Sequence, residues 1–371
     1  MSSAPPRGEI TEKVRSGVAW KEFCRVLETA GDAILAEGNP DDVLDRAEGF
    51  RSLTRLLRYA LETYIESNDP LRPKLVALIG ETIKIAAENP DNIYHGATID
   101  GCYDYRVWGT RGEACRLTFN TFRAGGFGGS GQGVGTTLHD EELKVAPDGT
   151  FELILSQHEH PGAWLRLHHD TRGLSIRETF TDKKNERPAE LHIERIGAEG
   201  PAPAPLDPAQ FYHGLMRSAH YVRAVTEMMG KWSCRQAAQP NVFVDAETND
   251  TRLWKDTQIK YHQAYFELGA EEALVIEFTP PRCKYWMIVL HNHWTETLDY
   301  RYHQITLNCR STQVRADGSV RCVVAHRDPG VPNWLDTAGH ARGTVGVRWV
   351  GPDVADVVPT ARLVCLPDAG R

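Results

Sequence analysis

Two histidines spaced by one residue are the first groups in this chain that could do chemistry. The run YWMIVLHNHW carries His291 and His293, which an extended strand would place on one face. Two imidazoles on one strand can hold a divalent metal when a third ligand joins them, and His303 and Glu296 follow closely in sequence. The plainer reading is a pair of pocket-lining histidines without metal. His158 and His160 form a second such pair, and His168 and His169 come shortly after. No cofactor other than a divalent metal is suggested.

The stretch PNWLDTAGHARG sets Asn333, Trp334, Asp336 and His340 on one expected loop. Loops carried by a rigid scaffold are common places for function. Asp336 with His340 would serve as an acid/base pair. Asn333 and Trp334 read either as ligand contacts or as turn former and plug. Tyr300 and Arg301 offer a guanidinium beside an aromatic ring, able to grip a carboxylate, sulfate or phosphate, and Arg106 in YDYRVWG offers the same. Surface ion pairing is the commoner use of such arginines. Trp286, Trp294 and Trp334 could stack against a ligand. The expected catalytic set is therefore His291, His293, Asp336 and His340. The expected binding set is Tyr300, Arg301, Trp294, Asn333, Trp334 and Arg106.

Other chemistries find no support. The glycine-rich run RAGGFGGSGQGVGTT lacks the Lys-Ser/Thr of a phosphate loop, and no helix is expected to open after it, so it reads as a surface loop or a lid. No Gly-x-Ser-x-Gly elbow is present. The formal net charge of −8 leaves no basic stripe for nucleic acid. The polar N-terminal stretch has no apolar core of a signal peptide, and no apolar run is long enough to span a bilayer. None of the eight cysteines forms a Cys-x-x-Cys pair, which suggests reduced thiols and a cytoplasmic protein.

The elements that must position these residues change character along the chain. Residues 1–90 read as helical. Val43, Ala47, Phe50, Leu53, Leu57 and Leu61 form an apolar stripe behind a cap at Asn39 or Asp41. A third helix is expected over KLVALIGETIKIAAE. Residues 91–200 alternate with period two and read as a first β module. Residues 201–240 combine a Pro/Ala linker with a helix from about Asp207 to Trp232, and residues 241–371 read as a second β module. The fold class is mainly β with a helical N-terminal region (α+β), because strands and helices are segregated.

The two β regions repeat each other. Asp148-Gly149-Thr150 returns 169 residues later as Asp317-Gly318-Ser319. Trp164-Leu165 returns as Trp334-Leu335, Arg172-Gly173 as Arg342-Gly343, and Arg177 as Arg348. Order and spacing are kept, so two related β-sandwich or jelly-roll modules from an internal duplication are expected. Arg177 and Arg348, kept in both copies, read as structural.

Tyr285 to Val350 also resembles the family catalogued as domain of unknown function 1214. Trp286, Tyr300-Arg301, Asp317-Gly318-Ser319, Asn333-Trp334-Leu335 and Arg348-Trp349 carry the resemblance. The upstream stretch NPDNIYHGATIDGCYDYRVWGTRG is similar to the corresponding region of longer bacterial relatives. Leu335-Asp336 stands where the family has Leu-Pro, and Arg348-Trp349-Val350 departs from its closing strand. The resemblance implies a fold rather than an activity.

Together these features lead us to expect an enzyme acting on a small, partly apolar organic compound (aromatic, steroid-like or terpenoid). Its chemistry would be acid/base or metal-assisted, a lyase or hydrolase. The alternatives are a non-catalytic binder of carbohydrate or hydrophobic ligands and a structural subunit. The expected partner is a small-molecule ligand, with no nucleic acid and no membrane, in a homo-oligomer.

Overall fold

The two Asp-Gly turns fold alike. In the computed structural model, which describes residues 6–124, 133–197, 202–245, 256, 258–354 and 357–369, Gly149 and Gly318 take φ of 87° and 84°. Glycine enters this left-handed region without a Cβ clash. Asp148 Oδ1 accepts from Thr150 N at 3.0 Å and from its Oγ1 at 2.7 Å; Asp317 Oδ1 accepts from Ser319 N at 2.9 Å and from its Oγ at 2.7 Å. The anchors agree too. Trp164 Nε1 donates to Ser156 O and Trp334 Nε1 donates to Ala325 O, each at 3.1 Å.

Each copy is a two-sheet sandwich. The first contains β1 (Asn92–Thr98), β2 (Tyr105–Thr110), β3 (Arg116–Arg123), β4 (Val134–His139), β5 (Thr150–Ser156), β6 (Ala163–Arg166), β7 (Thr171–Thr179) and β8 (Glu190–Arg195). Its sheets run β1-β7-β3-β4 and β6-β5-β2-β8. The second contains β9 (Val244–Asp245), β10 (Ile259–Glu267), β11 (Glu272–Phe278), β12 (Tyr285–His291), β13 (Thr306–Asn308), β14 (Val320–Ala325), β15 (Trp334–Asp336), β16 (Arg342–Val350) and β17 (Thr360–Cys365). Its sheets run β13-β12-β16-β10-β9 and β15-β14-β11-β17. Apart from the added edge strand β9, the orders match strand for strand. In both, the short strand bearing the Trp pairs parallel to its neighbour.

Alternation along the strands fills each sandwich. Phe119, Leu153, Leu155 and Ile176 fill the first. Trp286, Trp349, Phe278 and Ile288 fill the second, where Trp349 meets Phe278 edge-on at 5.2 Å. Trp286 is thus core, not the stacking platform expected from sequence. The sandwiches join through polar bonds: Asp91 Oδ2 accepts from Tyr285 Oη and from Asn308 Nδ2, both at 2.7 Å.

Four helices form a separate layer. These are α1 (Arg7–Arg15), α2 (Val18–Ile34), α3 (Val43–Leu61, extended by a π-type turn over Glu62–Glu66) and α4 (Pro208–Ala237). Asp42, rather than Asn39 or Asp41, caps α3 by accepting from Asp45 N. Asp207 caps α4, with Pro208 in its first turn. Although α4 follows the first sandwich in sequence, it packs with Ala30, Leu56 and Ala60 of the N-terminal helices.

One expectation holds in part and one fails. The apolar stripe on α3 is only part of its buried side: Leu53, Leu57 and Leu61 pack against the helical cores, whereas Val43 is 86% exposed and Phe50 44%, and Asp45, Gly49, Ser52, Arg55 and Leu56 are buried instead. The third helix is absent. From Ser67 to Asp91 the chain has no helix or strand beyond a bridge between Val76 and Gly96. Ile83, Lys84 and Ile85 are all buried along this irregular stretch, a demand that a one-sided helical stripe cannot meet. The glycine-rich loop (125–132) and the 198–201 part of the linker lie outside the described residues.

Candidate functional site

The outer face of sheet β13-β12-β16-β10-β9 carries His291, Thr344, Gly346 and Arg348, and the helical layer covers it. Gly49 lets α3 come close: a Cβ there would lie 2.7 Å from Trp294. Trp294 is 3% exposed and donates its Nε1 to Asp45 O at 2.7 Å. It pins the cap to the sandwich and lines a small cavity with Leu56, Lys84, Val225, Met229 and Glu296. That cavity has room for about one water molecule.

Around it lies a dense set of buried charges. Lys84 and Glu88 are each 4% exposed, Arg55 6%, Glu296 2% and His291 1%. Arg55 Nη1 donates to Glu296 Oε2, which also accepts from Asn292 Nδ2 at 3.4 Å. Lys84 Nζ donates to Thr297 O at 2.6 Å and to Leu298 O at 2.8 Å, and sits 5.1 Å from the Tyr300 ring centroid. Glu88 Oε1 accepts from the Thr297 hydroxyl, and Arg348 donates to Ala87 O. The backbone here is strained. Ala86, Ala87 and Thr295 take φ of 55°, 56° and 59°, and such residues cost about 1–3 kcal/mol each. Ala87 N donates to Thr295 O at 2.6 Å, tying the strained segments together.

Against this density of bonds, several atoms are left over. Glu296 Oε1, Glu88 Oε2, His291 Nε2 and Thr295 Oγ1 are buried without a hydrogen-bond partner among the described residues. Orphaned buried polar atoms are costly, so their concentration at one place calls for an explanation. Burial pushes the Glu296 carboxyl up to about 8 against the pull of Arg55, with Glu88 adding to the rise. Burial, aided by Arg348, pushes His291 down to about 3, so its ring is neutral throughout the physiological range. Burial also raises Glu88 and lowers Lys84, each opposed by the attraction of the other. Because Oε2 of Glu296 already accepts from Arg55, its proton belongs on Oε1. A protonated carboxyl with its free oxygen unbonded can act as a general acid.

The residues expected from sequence divide around this site. His291 belongs to it. Glu296, expected only as an extra metal ligand, is at its centre. His293 adjoins it, but β12 ends at His291, so the two rings do not share a strand face. His293 Nδ1 lies 2.9 Å from Tyr265 Oη and its Nε2 lies 3.1 Å from Asn39 Oδ1, so both nitrogens already have protein partners. His303 pairs with Asp336 at 2.7 Å. Among the described residues no three His, Cys, Asp or Glu side chains converge as a metal would require, so His291, His293 and His303 do not form the metal set considered above.

The remaining expected residues have structural partners. Asp336 also accepts from Ala338 N, while His340 Nδ1 lies 3.1 Å from Thr337 O; Asp336 and His340 are not hydrogen-bonded to each other. Asn333, with φ of 60°, accepts from Gln313 N and donates to Gln313 O and Arg321 O. Trp334 is the loop anchor. Arg301 forks onto Asp299 at 2.8 and 2.7 Å, and Arg106 pairs with Glu152 and Glu194 beside Trp108. His158 and His169 lie on exposed turns. Arg55, Lys84 and Glu88 were missed. The one signal for them was Lys84 between Ile83 and Ile85, a charge inside an apolar run.

A duplicated β-sandwich whose second copy is closed by helices over buried charges is the class of protein defined here. Residues 266–354, in the second sandwich, match the family described as "Protein of unknown function (DUF1214)". It is similar to the crystal structure of an uncharacterised protein from Burkholderia cenocepacia at 41% identity and a TM-score of 0.92, covering 96% of this chain and 99% of that one. The VPA0106 protein from Vibrio parahaemolyticus aligns at 13% identity and a TM-score of 0.48, over 91% of this chain and 100% of that one. No curated protein matches the chain. Among the described residues no helix is long and apolar enough to cross a membrane.

Proposed function

We propose that the protein is an enzyme that acts on a small, partly apolar organic compound by general acid/base chemistry, in the manner of a lyase or hydrolase. The observation that carries this reading is the buried Glu296 carboxyl, which lines a cavity with Lys84 and whose Oε1 has no hydrogen-bond partner among the described residues. Leu56, Val225, Met229 and Trp294 give that cavity an apolar lining, and Lys84 and Glu296 bring charge to it. Glu296 would deliver the proton, and Arg55 and Asn292 would hold its other oxygen, with neutral His291 and Glu88 buried behind the cavity lining. The cavity holds about one water molecule, so the reaction requires the Ser67–Asp91 stretch, which has no helix or strand, to move aside for the substrate. The eight free thiols suit a reducing compartment such as the cytoplasm.

Incubating the protein and its Glu296→Gln variant with a metabolite extract, followed by mass spectrometry, tests this. The wild type should consume at least one compound, and the variant should do so about 100-fold more slowly or worse. Equal consumption by both, or none by the wild type, would overturn the proposal.

A further inference from the structure

We infer that a second ligand site, apart from the Glu296 cavity, lies where α1, α4 and the end of the π-type turn meet, and that it takes a small hydroxylated molecule bearing a phosphate or carboxylate group. Space is the first ground. An open cleft of about 600 Å³ is lined by Arg7 and Ile10 of α1, by Asn68, and by Gln210, His213 and Arg217 of α4. Sites for small molecules commonly have volumes of about 300–1,000 Å³. Gln210, His213, Gly214 and Arg217 follow one another at helical spacing, so a single face of α4 forms one wall. Gly214 lets that wall approach the turn closely: a Cβ there would lie 2.3 Å from Tyr64 O.

The second ground is charge. Asp207 also lines the cleft, but its Oδ2 lies 3.2 Å from Arg7 Nη2, so these two charges match. Glu9 and Asp69, next in sequence to the lining, are paired with Lys13 and Arg72. Arg217 has no carboxylate partner among the described residues; its guanidinium lies 4.2 Å over the centroid of the Tyr64 ring. The cleft therefore carries excess positive charge on a chain whose formal net charge is −8. A guanidinium stacked by its face keeps its N–H edge available, and that edge forks onto two oxygens of a carboxylate or phosphate. The third ground is the rest of the lining. The side chains of Asn68, Gln210 and His213 have no hydrogen-bond partner among the described residues. Amides both donate and accept, as hydroxyl groups do, so a hydroxylated body suits them.

Isothermal titration of the full chain with glucose 6-phosphate, glucuronate and glucose tests the inference. At least one of the two anions should bind about tenfold or more tightly than glucose, and which of them does so tells phosphate from carboxylate. Arg217→Gln should weaken that anion by about 10- to 100-fold, the range expected for a charge-assisted hydrogen bond. Arg217 is exposed, so its loss spares the core, and the wild-type comparison stands without the variant. Glucose binding as tightly as both anions, no binding by any of the three, or an affinity that Arg217→Gln leaves unchanged would overturn the site.

Discussion

The Glu296 carboxyl keeps its proton near neutral pH because its surroundings cannot solvate the ionised form. It is 2% exposed, and the nearby Glu88 repels a second negative charge. Arg55 opposes both effects. Replacing it by methionine should therefore move the Glu296 titration above about 8, read from the carboxyl carbon signal. A midpoint that does not move would show that Arg55 packs there without acting on the proton. At this scale the sequence was only partly legible. His291 stood out because histidine is rare and paired, and Glu296 stood out because it follows closely. Arg55 was hidden on a helix whose apolar stripe accounts for only part of its buried side. Its burial comes from the sandwich packed against α3, which no local spacing records.

At the scale of elements the duplication was legible, because it is written in local chemistry. Asp-Gly-Ser/Thr builds a turn from its own side chain, and a Trp N–H closes a loop onto a carbonyl of the preceding strand. These are short-range bonds that residue type alone specifies. Trp164→Phe and Trp334→Phe should each keep most of the ring's packing and lose that bond. Each should cost about 1–2 kcal/mol in chemical denaturation. A large loss in one copy with none in the other would contradict their equivalence. The Ser67–Asp91 stretch was read as a helix because apolar residues recur in it. It is irregular because its residues face different neighbours: Ile83 and Ile85 pack among the helices while Lys84 reaches the carbonyls of Thr297 and Leu298.

The whole molecule uses its two copies differently. Arg177 and Arg348 occupy the same place on β7 and β16. Arg177 and Arg116 both meet Asp256, whereas Arg348 faces Ala87 under the cap. Both arginines serve as structural ties, but Arg177 stays between sheet residues and Asp256, whereas Arg348 lies on the face under the cap. The cap makes the difference, since α3, α4 and the irregular stretch close over the second sandwich. This closure has a thermodynamic consequence. With its proton affinity raised from the ordinary 4.5 to about 8, folded Glu296 holds a proton that the unfolded chain releases between those values. Stability from this group is therefore full below about pH 4.5 and is lost as pH rises toward 8. A direct test is the titration of the Glu296 side chain in the full chain by carboxyl-carbon NMR, with the signal assigned by its loss in Glu296→Gln. A midpoint at about 8 is expected for a buried acid that carries its proton at neutral pH. A midpoint at the ordinary 4.5 would mean that the carboxyl is ionised beside Arg55, and the site could not then act as a proton donor.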